Sequence, residues 1–128
     1  MSMLDGFKAF DFNEGSPYLS VTKNGITFNK SVILKLNKPE FVVFLINKET
    51  RQVAIQVCEK ETPNATKFFK EKKSGVLSVR WNGKDLLNTV NEMMSWDLDK
   101  STYRVDGVML IEDNAMLFDL SKANEIPY

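Results

Sequence analysis

Histidine is absent from the 128-residue chain, and Cys58 is its only cysteine. Histidine is the commonest general base and the commonest transition-metal ligand in proteins. Its absence excludes catalytic triads that use histidine, and one cysteine can form neither an intrachain disulfide nor a Cys/His zinc site. The chain also lacks a glycine-rich phosphate loop and the ligand spacing of an EF-hand. We therefore predict that the protein is not an enzyme and uses no cofactor and no metal.

Long apolar runs are missing as well. No stretch approaches the roughly 18–20 apolar residues that are needed to span a bilayer. The first twelve residues contain Asp5 and Asp11 and do not have the apolar centre of a secretory signal. A chain of 128 residues is typical of one domain, so we expect a single domain over residues 1–128. We also expect a cytoplasmic location and no membrane partner.

The net charge is zero, but the charges are unevenly distributed. Residues 64–84 contain six basic residues and one acid, whereas residues 85–128 contain three basic residues and nine acids. A basic middle and an acidic final third predict either an anionic partner at the middle or two self-complementary surfaces.

Residues 18–58 have the pattern of a first β-α-β-β unit. Asn24-Gly25 is a dipeptide that supplies positive φ angles in tight hairpin turns. Asn29 is placed to cap a short helix over residues 30–37, and Pro39 ends that helix. The predicted strands are residues 20–23, 26–28, 40–47 and 51–58.

Residues 59–75 have the composition of a basic linker. Pro63 and Asn64 interrupt regular structure, and Phe68 and Phe69 stand among lysines. These two aromatic residues either anchor the linker to the core, which is the commoner role, or form an aromatic and basic contact surface. Residues 1–17 are expected to be a lead-in arm, either partly ordered or docked through Phe7, Phe10 and Phe12.

Residues 76–122 repeat the first unit in outline. A strand over residues 76–81 precedes Asn82, just as a strand precedes Asn29, so we predict a second asparagine-capped helix over residues 84–96. Strands over residues 103–111 and 115–120 follow. The predicted fold is therefore α+β, a mainly antiparallel sheet or small barrel formed by two β-α-β-β repeats with one helix each.

The segment from Val21 to Lys30, followed by Val32, Ile33 and Leu36, resembles the AbrB/SpoVT family of swapped-hairpin DNA-binding domains. Domains of this family bind DNA as dimers of interleaved hairpins, so the resemblance implies the same for this chain. A chain that carries two copies of the unit is similar to the MraZ arrangement. Asn29 stands where the family usually has proline. A second resemblance, around residues 22–28 and 80–87, is to small uncharacterised proteins of low-GC Gram-positive bacteria and implies no activity.

The resemblance implies a bacterial DNA-binding transcriptional regulator. Its phosphate contacts would come from the first turn, the first helix, the linker and the start of the second unit. The residues are Lys23, Asn24, Lys30, Lys35, Lys67, Lys70, Lys72, Lys73, Arg80 and Lys84. Such lysines supply affinity rather than sequence specificity. The alternative is that the lysines form a solvated face and that Asn24 and Asn29 are turn and cap residues.

Two other functions remain open. The first is a non-catalytic protein-interaction module or homodimer, with Trp96, Tyr103 and Tyr128 as candidate contacts. The second is carboxylate chemistry at Asp97, Asp99 and Asp106, or at residues 112–113. The spacing of these carboxylates does not indicate an acid paired with a base, which agrees with the prediction of no catalysis.

Overall fold

The computed structural model of the protein describes residues 3–6 and 15–128. Within them the chain is an α+β domain whose antiparallel sheet is curled into a half-barrel, which confirms the predicted fold class. Phe7, Phe10 and Phe12 of the predicted arm lie outside the described residues. The elements in chain order are β1 (Tyr18–Thr22), β2 (Gly25–Phe28), α1 (Lys30–Lys35), β3 (Phe41–Asn47), β4 (Gln52–Val57), β5 (Thr66–Lys67), β6 (Val79–Trp81), α2 (Lys84–Met94), β7 (Ser101–Leu110), β8 (Ala115–Asp119) and β9 (Asn124–Pro127).

The nine strands in this part of the chain form one sheet. Their order is β5-β3-β4-β8-β7-β1-β2-β6. The ninth strand, β9, pairs with the first residues of β7, whereas β8 pairs with its last residues. Strands distant in sequence are therefore neighbours: β1 lies against β7, and β2 lies against β6. The long strand β7 joins the two halves of the sheet, because its first residues pair with β1 and its last residues pair with β8.

The order strand-helix-strand-strand occurs twice, as β2-α1-β3-β4 and as β6-α2-β7-β8. Corresponding strands pair with each other, β2 with β6 and β4 with β8. Two hydrogen bonds of 3.0 Å also correspond, from the Val57 N–H to the Asn114 carbonyl and from the Leu120 N–H to the Arg51 carbonyl. Arg51 and Asn114 both have left-handed backbones, with φ of 57° and 50°.

Helix α1 begins at a capping asparagine, as predicted. Asn29 Oδ1 accepts hydrogen bonds from the backbone N–H of Val32 (3.2 Å) and of Tyr18 (3.0 Å), while Nδ2 donates to the Ser16 carbonyl (2.8 Å). This side chain therefore ties β1 to the helix start and is not free for base recognition. The helix ends earlier than predicted because Asn37 and Lys38 take left-handed conformations, with φ of 62° and 51°.

Helix α2 begins at residue 84 as predicted, but its cap and its last residue differ from the prediction. Its N-cap is Gly83, which provides no side-chain hydrogen bond, so the prediction of a second asparagine cap at Asn82 is wrong. The helix stops at Met94 because Ser95 is left-handed, with φ of 55°. Its apolar side is packed against the core, and Val90 is buried.

An aromatic cluster around Phe28 lies within a core of mainly aliphatic side chains. The Phe28 ring meets Trp81, Phe68 and Phe118 edge to face, with centroid separations of 5.0, 5.3 and 5.9 Å. Trp81 Nε1 donates to the Lys67 carbonyl over 3.3 Å, which links β6 to β5 at the two ends of the strand order. The aromatic cluster thus holds the curled sheet together where no strand pairing does so.

Residues 59–75 are more than a linker. Thr66 and Lys67 form β5, and Phe68 and Phe69 are buried, so the core-anchoring alternative for these two aromatic residues is confirmed. The backbone N–H of Phe68 donates to the Glu40 carbonyl over 2.8 Å, which extends the pairing with β3. Strand β9 was not predicted, because its four exposed residues carry no alternation of apolar and polar side chains.

Asp119 caps the 3-10 turn that separates β8 from β9. Its Oδ1 accepts from the Ser121 N–H (3.1 Å) and from Ser121 Oγ (2.6 Å), and this side-chain hydrogen bond holds the pKa of Asp119 below its usual value. A carboxyl whose pKa is depressed in the folded protein stabilises the fold at neutral pH, and the contribution is lost as pH falls through that pKa. We expect Asp119→Ala to lower the free energy of unfolding by about 1 kcal/mol at neutral pH in urea titrations.

The same titrations at about pH 3, below the ordinary pKa of an aspartate, should show a smaller difference between Asp119→Ala and the wild type. Asp99→Ala is a matched control, because it removes an exposed carboxyl from a loop. An equal effect of Asp119→Ala at both pH values would contradict a role for the ionised carboxylate.

Candidate nucleic-acid interface

The outer face of β1, β2, β6 and the part of β7 that pairs with β1 is polar. Successive side chains of a strand point to opposite faces of the sheet. Leu19 and Val21 in β1 are 1% exposed and face the core. The intervening residues of β1 therefore lie on the outer, convex side, and the same alternation holds on the three neighbouring strands.

Four residues form a row across this outer face. The strand register pairs Arg104 with Ser20, Ser20 with Thr27, and Thr27 with Arg80. The two arginines are exposed and stand at the ends of the row, three strand spacings or about 14 Å apart. Tyr18 flanks the row on the same face. We call these five residues the arginine face.

Both arginines lie against the sheet. The Arg80 Nε donates to Thr27 Oγ1 over 3.3 Å, and the Arg104 guanidinium carbon lies 4.0 Å from the centre of the Tyr18 ring. Neither forms an ion pair with a carboxylate anywhere in residues 3–6 and 15–128. Asp106, which pairs with Tyr18, is the acidic residue at the border of the face. Most guanidinium N–H groups are therefore available to an anion, because a guanidinium carries five.

The β1–β2 turn lies at one end of this face. Lys23 and Asn24 are its exposed central residues, and Thr22 pairs with Gly25 across it. Asn24 does not have a positive φ, so the predicted positive angle occurs at Gly25 alone, with φ of 146°. The reason for this glycine is close approach: a Cβ at Gly25 would lie 2.5 Å from the Trp81 carbonyl oxygen.

Lys23 also meets the start of α2. Lys23, Lys84, Asn88 and Asn91 line a cavity of about 260 Å³, and Lys23 Nζ lies 5.9 Å from the Tyr128 ring centre. The structure thus brings together two of the predicted residues, Lys23 and Lys84, from opposite units of the chain. Arg80 is a third predicted residue at this turn. Its Cγ lies 3.3 Å from the position that a Cβ on Gly25 would take.

The other predicted residues lie elsewhere. Lys30 and Lys35 are exposed on α1, at the opposite end of β2 from the turn. Lys67 and Lys70 line a separate cavity of about 490 Å³ beside β5. Lys72 and Lys73 are exposed in the loop that follows β5. The ten predicted residues therefore fall into three places rather than one surface.

Four members of the arginine face were not predicted: Tyr18, Ser20, Thr27 and Arg104. Arg104 lies in the acidic final third of the chain, and the charge balance of that segment does not predict a basic binding residue there. Alternation within β7 could have placed Arg104 on an outer face. The sequence does not show, however, that β7 pairs with β1, a strand more than 80 residues earlier.

In the described ranges, no group of three or more cysteines and carboxylates could hold a metal ion. Within those same ranges, no helix combines the length and apolarity required to cross a bilayer. Comparison with known proteins finds no match, whether to a family model, to a curated protein or to a solved structure. The resemblance to AbrB/SpoVT domains therefore stays a prediction.

Proposed function

We propose that the protein is a cytoplasmic DNA-binding transcriptional regulator that binds duplex DNA through the arginine face. The observation that carries the proposal is the row from Arg104 through Ser20 and Thr27 to Arg80, with a guanidinium at each end that forms no ion pair within the described residues. Arginine recognises phosphate through several N–H donors at once, and phosphate contacts supply most of the affinity for DNA.

The dimensions of the row fit the major groove of a duplex. The groove is about 12 Å wide and accepts a β-ribbon, and the two arginines stand about 14 Å apart on a convex surface. Arg80 and Arg104 would meet phosphates on the two sides of the groove. The short side chains of Ser20 and Thr27 lie between them, where their hydroxyl groups would face base edges.

The proposal includes an internal duplication of the β-α-β-β unit. Its support is the repeated element order and the pairing of corresponding strands, β2 with β6 and β4 with β8. Thr27 and Arg80 pair with each other at corresponding positions of the two units. The AbrB-like arrangement of interleaved hairpins would then be formed within one chain, and the arginine face would lie beside the pseudo-two-fold axis.

A titration of labelled mixed-sequence duplex DNA, followed by fluorescence anisotropy, tests the proposal. We expect binding at about 50 mM salt that weakens steeply at about 200 mM, because bound phosphates release counterions. The variant Arg80→Gln/Arg104→Gln should weaken binding at least about tenfold and reduce the magnitude of the salt slope by about two, since two phosphate contacts are lost.

The matched control is Lys48→Gln/Lys60→Gln, which removes the same charge from exposed positions outside the arginine face. This control should bind DNA nearly as the wild type does. Absence of binding at low salt would contradict DNA binding itself. Equal binding by the arginine variant and the control would place the interface elsewhere on the protein.

A second candidate function is a protein-interaction module. The observation that favours it is a set of exposed apolar side chains at the far end of the sheet, with Val108 58% and Ile111 78% exposed. These residues lie outside the arginine face. An interaction through them could therefore occur with or without DNA.

A further inference from the structure

The connection between β7 and β8 is an exposed turn with an apolar tip and two acids. Ile111, Glu112 and Asp113 form one 3-10 turn, which we call the acidic turn. The left-handed Asn114 closes it by donating its N–H to the Ile111 carbonyl over 3.2 Å. Gln56 Nε2 donates to the Asp113 carbonyl over 3.0 Å and fixes the turn to β4. An exposed isoleucine held in a fixed position is suited to enter a hollow on another surface.

A basic cavity of about 490 Å³ lies beside β5, the edge strand next to β3. The buried Phe68 and Phe69, which are 8% and 6% exposed, form its base. Lys38, Lys67 and Lys70 are exposed and line its opening. The cavity therefore offers an apolar base under positive charge, which complements an exposed isoleucine followed by two negative charges.

The charges of the two features are complementary in sign. Glu112 and Asp113 form no ion pair within residues 3–6 and 15–128, and the same holds for the three lysines of the cavity. Two glutamates, Glu40 and Glu71, also line the cavity and reduce its positive charge. The adjoining loop adds Lys72 and Lys73, so five lysines are balanced by only these two glutamates. A partner that presents carboxylates is therefore favoured there.

The acidic turn and the basic cavity lie at the same end of the sheet. Thr66 of β5 pairs with Val42, Val42 pairs with Val57, and the Val57 N–H donates to the carbonyl of Asn114, the residue that closes the turn. The turn and the cavity are thus about three strand spacings, or about 14 Å, apart. Because both lie at one end, a two-fold axis between them would bring each turn to the cavity of another copy.

We infer that two copies of this chain pair about such an axis, with the acidic turn of each seated in the basic cavity of the other. Ile111 covers Phe68 and Phe69, and the carboxylates of the turn meet the lysines at the opening. The contact occurs twice and is closed, so it yields a dimer rather than a filament. The interface is small and depends on exposed charges, so the dimer is weak and salt-sensitive. This inference is independent of DNA binding.

Sedimentation equilibrium of the full-length protein gives the first test. At about 50 mM salt we expect a reversible monomer–dimer equilibrium at protein concentrations between about 10 μM and 1 mM. The dissociation constant should rise about tenfold or more at about 500 mM salt, because the Debye length shortens. A protein that stays monomeric at the highest concentration in low salt would overturn the inference.

Charge reversal gives the decisive test. The variants Glu112→Lys/Asp113→Lys and Lys67→Glu/Lys70→Glu should each be monomeric, because the turn and cavity of each variant then carry like charges. An equimolar mixture of the two variants should form a heterodimer, since both contacts between them again join opposite charges. All four positions are exposed, so circular dichroism should show an unchanged fold.

The control variant is Glu49→Lys, which reverses a charge in the β3–β4 turn, the counterpart of the acidic turn in the first unit. This variant should dimerise as the wild type does. Unchanged dimerisation of Glu112→Lys/Asp113→Lys would assign the dimer to another surface and overturn the inference. A mixture of the two reversed variants that remains monomeric would do the same.

Discussion

Phe28→Ala should lower the free energy of unfolding by about 3–5 kcal/mol, the range for truncation of a fully buried phenylalanine. Phe28 is 0% exposed, and its ring contacts Trp81, Phe68 and Phe118. Each edge-to-face contact contributes about 0.5–1.5 kcal/mol beyond the buried area. Urea unfolding followed by tryptophan fluorescence measures the loss, because Trp81 reports directly on the cluster.

Two further variants keep this prediction testable if Phe28→Ala does not fold. Phe28→Leu retains part of the buried volume and should lose only about 1–2 kcal/mol. Phe44→Ala removes a half-buried ring that contacts Trp81 at 5.6 Å, and its loss should be below that of Phe28→Ala. A loss for Phe28→Ala no larger than that for Phe44→Ala would contradict a central role for Phe28.

Gly25→Ala should destabilise the protein by about 2–5 kcal/mol, from backbone strain and steric overlap together. Gly25 has φ of 146°, where side chains are strained, and its Cβ would lie 2.5 Å from the Trp81 carbonyl oxygen. That oxygen belongs to the backbone of β6 and cannot rotate away. The substitution should therefore separate β2 from β6, and thermal or urea unfolding would show the loss.

Gly75→Ala is the matched control for this glycine. Gly75 also has a positive φ, at 73°, but a Cβ there would meet nothing within 4 Å. Its substitution measures the backbone strain alone, about 1–2 kcal/mol. Equal losses for Gly25→Ala and Gly75→Ala would mean that β6 yields to the added methyl group, contrary to the expectation.

Separating β2 from β6 also has a consequence for the arginine face, because Arg80 is positioned by its pairing with Thr27. Gly25→Ala should therefore weaken DNA binding even where the protein remains folded. Phe28→Leu, which changes the core but not the β2–β6 backbone contact, provides the comparison. Anisotropy titrations of both variants under folding conditions would separate the two effects.

Local signals in the sequence determined the individual elements. The Asn29 cap, the apolar positions of α1 and α2, the apolar run of β3 and the alternation of β4 act between residues close in the chain, so they are visible without a fold. The ends of the helices were less predictable. Asn37, Lys38 and Ser95 adopt left-handed conformations that their residue types do not require.

The repeated element order, and with it the α+β class, was also present in the sequence. The ladders that assemble the sheet were not, since β1 with β7 and β4 with β8 join residues far apart in the chain. A strand shows which of its side chains share a face, but not which strand will lie beside it.

The residues of the candidate site were predictable only in part, because the site depends on which strands pair. Arg80 was identifiable as a basic residue in a basic segment, and the Lys67–Lys70 cluster was identifiable from its charge. The tertiary structure alone decided that Arg104 from the acidic third stands in one row with Arg80, and that Lys67 and Lys70 lie away from that row. The physical reason is that burying the apolar core selects the strand pairing, and the pairing then places the charges.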